Sequence, residues 1–292
     1  MFTELIFHTP EVELNYAEGP DNGPALVLVH GLPGRWQEFL PVIPYLMIQW
    51  HIYAIDLRGQ GKSGHVSGGY PSGSYCKDLL SFLKEQVLEP AILFGMSAGG
   101  LIALDAAEKA PECVKAIVLG DTPIDLEWLQ DMMSSPGFSV LFSAFRDLAN
   151  STYSIAEISS RLAAIPLEAE NGAETARYGN QPGVDLPHLW QLARTLKDMD
   201  PGVLEYHAEG RAQEYLGEVD IDRYFQRIKC SVLLIQANPA LGGMMTDRSV
   251  KNALAKLERG YHFLDASSGH DLMGGWEVAT LLRTVTAFLD TI

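Results

Sequence analysis

Three short patterns in this sequence contain residue types that can carry out nucleophilic chemistry. The first is Gly95-Met96-Ser97-Ala98-Gly99, a G-x-S-x-G set between an apolar strand pattern and a helical pattern. The pentapeptide alone is a weak signal, and the strand–turn–helix context makes it specific. In that context the serine sits on a tight turn whose flanking positions press together, and only small residues such as Gly95 and Gly99 fit there. The turn lifts the hydroxyl to the carboxyl edge of the sheet, where open α/β sheets bind ligands. The helix that begins at Ala98 points its free N–H groups at the same place. The second pattern is Ser268-Gly269-His270, just after the last strand pattern. A serine hydroxyl needs an adjacent base, and His270 is placed to supply one. His188 and His207 fall in a region without strands, and His51 and His262 sit at strand starts, the wrong end of the sheet. The third pattern is His30-Gly31-Leu32-Pro33-Gly34, directly after another strand. Acyl transfer builds a tetrahedral oxyanion that preorganised donors must hold. Pro33 has no N–H, so the candidate donors are Leu32 and Ala98. His30 is a candidate pocket residue.

Three aspartates compete to orient His270. Such an acid belongs at the carboxyl end of a strand, within reach of the imidazole. Asp121 closes the strand pattern Ala116–Leu119 and keeps the chain order Ser…Asp…His. Asp247 is the alternative acid, but Thr246 and Asp247 also read as the start of a helix, which would occupy that side chain. Asp265 ends the last strand, only five residues before His270.

These residues need a scaffold, and the apolar runs supply one. Ala25–Val29, Ile52–Ile55, Ala91–Phe94, Ala116–Leu119, Val232–Ile235 and His262–Leu264 read as strands buried on both faces. Helical patterns at Tyr75–Leu88, Ala98–Ala110 and Arg248–Leu257 alternate with them, which makes a mostly parallel α/β sheet. Leu5–His8 and Val12–Ala17 read as an antiparallel hairpin at its edge. The alternation stops after Asp121. Between 123 and 225 the patterns are helical, at Leu126–Met133, Val140–Leu148, Ile155–Ala164, Leu189–Met199 and Pro201–Tyr215, with a loop over Asn171–Pro187. We therefore expect a core domain of residues 1–122 and 226–292, and a helical cap of 123–225 inserted after the sixth strand. Trp128, Phe142, Tyr178 and Trp190 of the cap are candidate pocket walls.

Composition narrows the function further. The chain has 292 residues, 47% of them hydrophobic, enough for a large core. Its net charge of −16 opposes binding to nucleic acid phosphates or to an anionic membrane surface. No run of about 20 apolar residues could span a membrane. The three cysteines, Cys76, Cys113 and Cys230, form neither a disulfide framework nor a zinc motif. Met1-Phe2-Thr3-Glu4 lacks the basic start of a signal peptide. The expectation is a cytoplasmic protein, monomer or homodimer, whose partner is a small-molecule substrate and whose chemistry needs no metal or organic cofactor.

Taken together, four motifs resemble the α/β-hydrolase superfamily in its cap-bearing esterase and lactonase-like branch. They are His30-Gly31, Asp56-Leu57-Arg58-Gly59-Gln60-Gly61-Lys62-Ser63, the turn at Ser97 and Gly269-His270, in order across nearly the whole chain. The resemblance implies an α/β-hydrolase fold, Ser97 as nucleophile, His270 as base, Leu32 and Ala98 as oxyanion donors, and a structural role for the Asp56–Ser63 loop. Many members place the acid about five residues past the strand that here is Val232–Ile235, and this chain has Ala240 there. Others place it after the preceding strand, where Asp121 stands. The resemblance implies hydrolysis of a carboxylic ester or lactone, with carbon–carbon hydrolysis of a diketone-like acid as the nearest alternative. That alternative wants a cationic group for the substrate carboxylate, which Arg146, Arg161, Arg177 or Arg194 could supply. A serine nucleophile opposes haloalkane dehalogenase and epoxide hydrolase chemistry, whose members use an aspartate. A ligand-binding protein without turnover is the remaining reading.

Overall fold

A computed structural model describes residues 2–167, 176–274 and 278–292. Eight strands make one sheet: β1 (Thr3–His8), β2 (Glu13–Glu18), β3 (Ala25–Val29), β4 (His51–Ile55), β5 (Ala91–Met96), β6 (Val114–Gly120), and, far along the chain, β9 (Ser231–Ala237) and β10 (Gly260–Asp265). Their order is β1-β2-β4-β3-β5-β6-β9-β10. The β1–β2 and β2–β4 pairs are antiparallel, and all the others are parallel. The order reverses around β3, so the crevice at the carboxyl ends of β3 and β5 is where such a sheet takes a ligand.

The central strands are buried on both faces, which explains their unbroken apolar runs. Ala25, Val27 and Val29 of β3 enter one apolar cluster, and Leu26 and Leu28 enter the other. Helix α1 (Ile43–Leu46) packs against the second cluster. Helices α2 (Ser72–Phe82) and α3 (Ala98–Lys109) cover the first. The pattern read as one helix to Leu88 instead widens into a π turn at Leu83–Val87, closed by Leu88 in the left-handed region.

Between β6 and β9 lie α4 (Leu126–Met133), α5 (Pro136–Leu148), α6 (Ile155–Ala164), α7 (Leu186–Lys197), α8 (Glu205–Ala208), α9 (Ala212–Leu216) and α10 (Ile221–Arg227). Asp125, Ser135, Ser154 and Asp185 cap the first, second, third and fourth of these through their side chains. Two expectations need correction here. The stretch Pro201–Tyr215 is not one helix, because Gly210 adopts φ +65° between α8 and α9. The region also contains a two-stranded pair, β7 (Pro166–Leu167) with β8 (Ala176–Arg177). Residues 171–175 of the loop expected over Asn171–Pro187 lie outside the described residues. After β9, α11 (Asp247–Lys256) and α12 (Val278–Leu289) complete the chain. No helix among the described residues is long and apolar enough to cross a membrane.

Candidate active site

The turn at Ser97 is as sharp as its sequence requires. Ser97 joins β5 to α3 with φ +51° and ψ −122°, a conformation that L-residues rarely hold. Gly95 and Gly99 make it possible. A Cβ on Gly95 would lie 2.5 Å from the backbone of Gly99 and Gly100, and one on Gly99 would lie 2.3 Å from the Val29 carbonyl oxygen. The Ser97 N–H donates to the Gly120 carbonyl at 2.9 Å, which ties the turn to β6.

The loop after β3 comes close to this serine. A Cβ on Gly31 would lie 3.1 Å from Ser97 Cβ, so the neighbouring backbone reaches the nucleophile. The Leu32 N–H has no acceptor among the described residues, and the Ala98 N–H belongs to the free first turn of α3. His30 does not line the cavity. It is fully buried, with Nδ1 2.7 Å from the Gly31 carbonyl and Nε2 accepting from the Leu57 N–H at 3.0 Å. Burial pushes its pKa down to about 4, so it stays neutral. Its work is to hold the loop against the Asp56–Ser63 turn. In that turn, Asp56 accepts N–H bonds from Trp36 and Lys62, and Arg58 grips Asp78 with two bonds of 2.6 and 2.7 Å.

The structure brings Ser97, His270 and Asp121 into one hydrogen-bonded chain. The Ser97 hydroxyl donates to His270 Nε2 at 3.0 Å, and His270 Nδ1–H donates to Asp121 Oδ2 at 2.7 Å. Asp121 is wholly buried and has φ +38°. It accepts three further bonds, from the N–H groups of Ala237 (3.1 Å), Met244 (2.7 Å) and Met245 (3.2 Å). The segment after β9 therefore contributes backbone donors to the acid, although Ala240 cannot be the acid itself. Gly269 fits below His270 because a Cβ there would lie 2.4 Å from the Leu241 carbonyl oxygen.

The other two aspartates are engaged elsewhere. Asp247 opens α11 and accepts from Gln236 Nε2 at 2.9 Å. Asp265 accepts from the hydroxyls of Ser267 (2.7 Å) and Ser268 (2.8 Å), which shapes the turn leading to His270.

A cavity of about 200 Å³ opens onto Ser97 and His270. Leu32, Met96, Phe145, Leu192 and Met273 give it apolar walls, and Glu38, Tyr178, His188 and Asp271 give it polar ones. Of the aromatic residues expected to line it, only Tyr178 does so. Phe142 stacks on Phe138 (4.2 Å) and on His207 (5.0 Å) inside the helical segment. Trp128 packs on the large core cluster. Trp190 lies 38% exposed on the outer surface of α7. Phe145, Glu38 and Asp271 also line the cavity without being marked as pocket residues by the sequence, although the i, i+3 spacing of Phe145 from Phe142 puts it on the same apolar stripe. No Lys or Arg is among the described residues that line the cavity.

Glu38 stands half-buried beside this cavity. Burial first, and the charge of Asp271 second, push its pKa up to about 8. It is therefore a neutral acid at pH 7. In the unfolded chain a glutamate releases its proton near pH 4.5, so across the window from about 4.5 to 8 the folded chain binds more protons. Stability then falls as pH rises through that window. Glu38→Gln, with no proton to release, is expected to flatten this decline. Melting temperatures of both proteins from pH 5 to 8.5 check it. Parallel curves would contradict the assignment.

The comparisons with known proteins agree with this fold. The model of the α/β hydrolase fold family matches residues 24–273. The chain is 29% identical over 194 residues to the 2-(acetamidomethylene)succinate hydrolase of Mesorhizobium japonicum, covering 64% of this chain and 67% of that one. It is 32% identical over 117 residues to the bifunctional epoxide hydrolase 2 of Sus scrofa, covering 39% of this chain and only 21% of that much longer relative. An N-formylmaleamic acid deformylase from Pseudomonas putida S16 has the same fold, with a TM-score of 0.74 at 14% identity over 97% of this chain and 100% of that one. With the family model spanning most of the chain, and the sheet, the serine turn and the histidine loop all in place, this protein belongs to the α/β-hydrolase fold family.

Proposed function

We propose that this protein is a serine hydrolase that cleaves a small, uncharged carboxylic ester or lactone. One observation carries the reading: the Ser97–His270–Asp121 chain opens into a small cavity with no Lys or Arg among the described lining residues. In the first half-reaction His270 Nε2 takes the Ser97 proton as Oγ attacks the substrate carbonyl. The Leu32 and Ala98 N–H groups hold the oxyanion, and the new imidazolium is stabilised by Asp121. His270 then returns the proton to the leaving alkoxide. Water, deprotonated by the same nitrogen, hydrolyses the acyl-enzyme and frees Ser97.

Two relatives named above act, by their names, on acids carrying an amide-type nitrogen. Turnover of such an anion, like carbon–carbon cleavage of a diketone-like acid, calls for a cation to receive the carboxylate. The arginines considered for that task lie elsewhere. Arg146 approaches Asp147 and Glu209, Arg161 covers the Tyr153 ring at 3.9 Å, and Arg177 and Arg194 are exposed. In this reading the helices between β6 and β9 act as a cap, with Phe145, Tyr178, His188 and Leu192 as its contribution to the pocket.

The cavity is smaller than the roughly 300–1,000 Å³ of drug-sized sites. A series of p-nitrophenyl esters tests the proposal. Acetate and butyrate should be turned over with kcat/KM roughly tenfold or more above laurate. Turnover confined to diketone acids or amide substrates would contradict it.

A further inference from the structure

Beside the Ser97 chain runs a second chain of hydrogen-bonding groups that the mechanism does not use. The Tyr178 hydroxyl lies 3.0 Å from His188 Nε2, and His188 Nδ1 lies 3.6 Å from Asp271 Oδ2. All three residues line the cavity with Ser97 and His270. Asp271 directly follows the proposed base, while Tyr178 and His188 come from the inserted helical segment, so the chain crosses from one side of the cavity to the other.

Each link is built into its surroundings. The Asp271 carboxylate accepts N–H bonds from Met273 (3.1 Å) and Gly274 (2.9 Å). A Cβ at Gly274 would lie 2.3 Å from Asp271 Oδ2, so a larger residue there would push the carboxylate out of place. Burial raises the Asp271 carboxyl, but the His188 contact and the two N–H bonds outweigh it, so its pKa falls below the ordinary value and the group is ionised. His188 stands in the first turn of α7, where Asp185 accepts its backbone N–H at 2.9 Å. The Tyr178 ring packs edge-on against Phe145 at 5.6 Å. Burial and the nearby Asp271 charge hold its phenol well above the usual pKa, so it keeps its proton.

The direction of the bonds follows from the ionised end. In the tautomer that turns its Nδ1 hydrogen to the Asp271 carboxylate, His188 offers Nε2 as an acceptor. Tyr178 therefore donates its only hydrogen to His188. What remains on the phenol oxygen is acceptor capacity. Glu38, Gln191 and Thr195 can each donate and accept, and the Asp271 carboxylate at the far end is negative.

We propose that Tyr178, oriented by His188 and Asp271, is a specificity-determining residue that accepts a hydrogen bond from a hydroxyl or amide N–H on the non-reacting part of the substrate. The inference rests on the ester or lactone reading above and narrows it to hydroxylated or amide-bearing, non-anionic acyl groups. His188 and Asp271 are positioning residues, acting through Tyr178.

Three p-nitrophenyl esters test it on the wild-type protein: 3-hydroxybutyrate, its isostere 3-methylbutyrate, and hemisuccinate. One neutral hydrogen bond predicts that kcat/KM for the hydroxyacyl ester exceeds that for the isostere by roughly threefold to tenfold, and that hemisuccinate is the poorest of the three. In Tyr178→Phe the hydroxyl preference should fall to about one, through KM rather than kcat. A melting curve reports whether that variant is folded, and the wild-type ratio needs no variant. Equal turnover of hydroxyacyl ester and isostere, a preference that survives Tyr178→Phe, or hemisuccinate as the best substrate would overturn the inference and leave the hydrolase reading intact. No turnover of any ester would remove both.

Discussion

Asp121→Asn is expected to lower kcat by about 10⁴ while leaving a folded protein, as loss of the orienting acid does in serine hydrolases of this type. The bond pattern explains why an isosteric change should be so damaging. Asp121 Oδ1 accepts from two backbone N–H groups, those of Ala237 and Met245, and Oδ2 accepts from Met244 N–H and from His270 Nδ1. An asparagine has one oxygen. The two donors at the Oδ1 position will keep it, so the amide NH₂ falls opposite His270. The imidazole must then turn its lone pair to Nδ1 and carry its hydrogen on Nε2, where it cannot receive the proton of Ser97. The same NH₂ faces the Met244 N–H, and an unmatched buried donor costs about 1–3 kcal/mol. Kinetics on the best p-nitrophenyl ester, with a melting curve alongside, check both parts. Retained activity here, with loss in Asp247→Asn, would transfer the role to the other aspartate.

Ser97→Ala is expected to cost about 10⁶ in kcat. Among the described residues, no other hydroxyl is hydrogen-bonded to His270 Nε2. Thr195 is the other hydroxyl among the aliphatic residues that line the cavity, and the Ser268 hydroxyl is given to Asp265. The turn tolerates alanine as well as it tolerates serine, because its strain lies in the backbone. The loss should therefore appear as kcat with little change in the melting temperature. Activity within tenfold of wild type would mean that the hydrolysis arises elsewhere.

Much of this arrangement is legible in the sequence, and the reasons are local. A central parallel strand is buried on both faces, so β3, β5, β6 and β9 announce themselves as short apolar runs. The serine turn needs glycines two positions to either side, and both are there for the close contacts described above. The histidine and the aspartate follow strands, so their sheet edge can be read from the chain order. That three N–H groups would converge on Asp121 cannot be read in this way, because two of them come from Met244 and Met245, more than 120 residues further on. The cavity walls are the least legible part. In the inserted segment the same aromatic stripe serves both helix packing and the pocket, and a hydrophobic pattern does not separate the two uses. Phe142 faces Phe138 and His207, whereas Phe145, one turn away, faces the substrate side. His30 is hard to place for a related reason. It adjoins the loop that approaches Ser97, but its ring turns inward to bind Leu57 and Gly31. The break at Gly210 shows how a single left-handed residue interrupts a pattern that reads as continuous helix.

The central claim is that Ser97 is a nucleophile activated by His270. Treatment with a fluorophosphonate probe, followed by peptide mass spectrometry, tests it most directly. One equivalent of label is expected on the peptide that contains Ser97, with labelling at least about a hundredfold slower in His270→Ala, in keeping with the 10²–10⁴ that a positioned base contributes. An unlabelled Ser97 in the folded protein, or label carried by another residue, would contradict it.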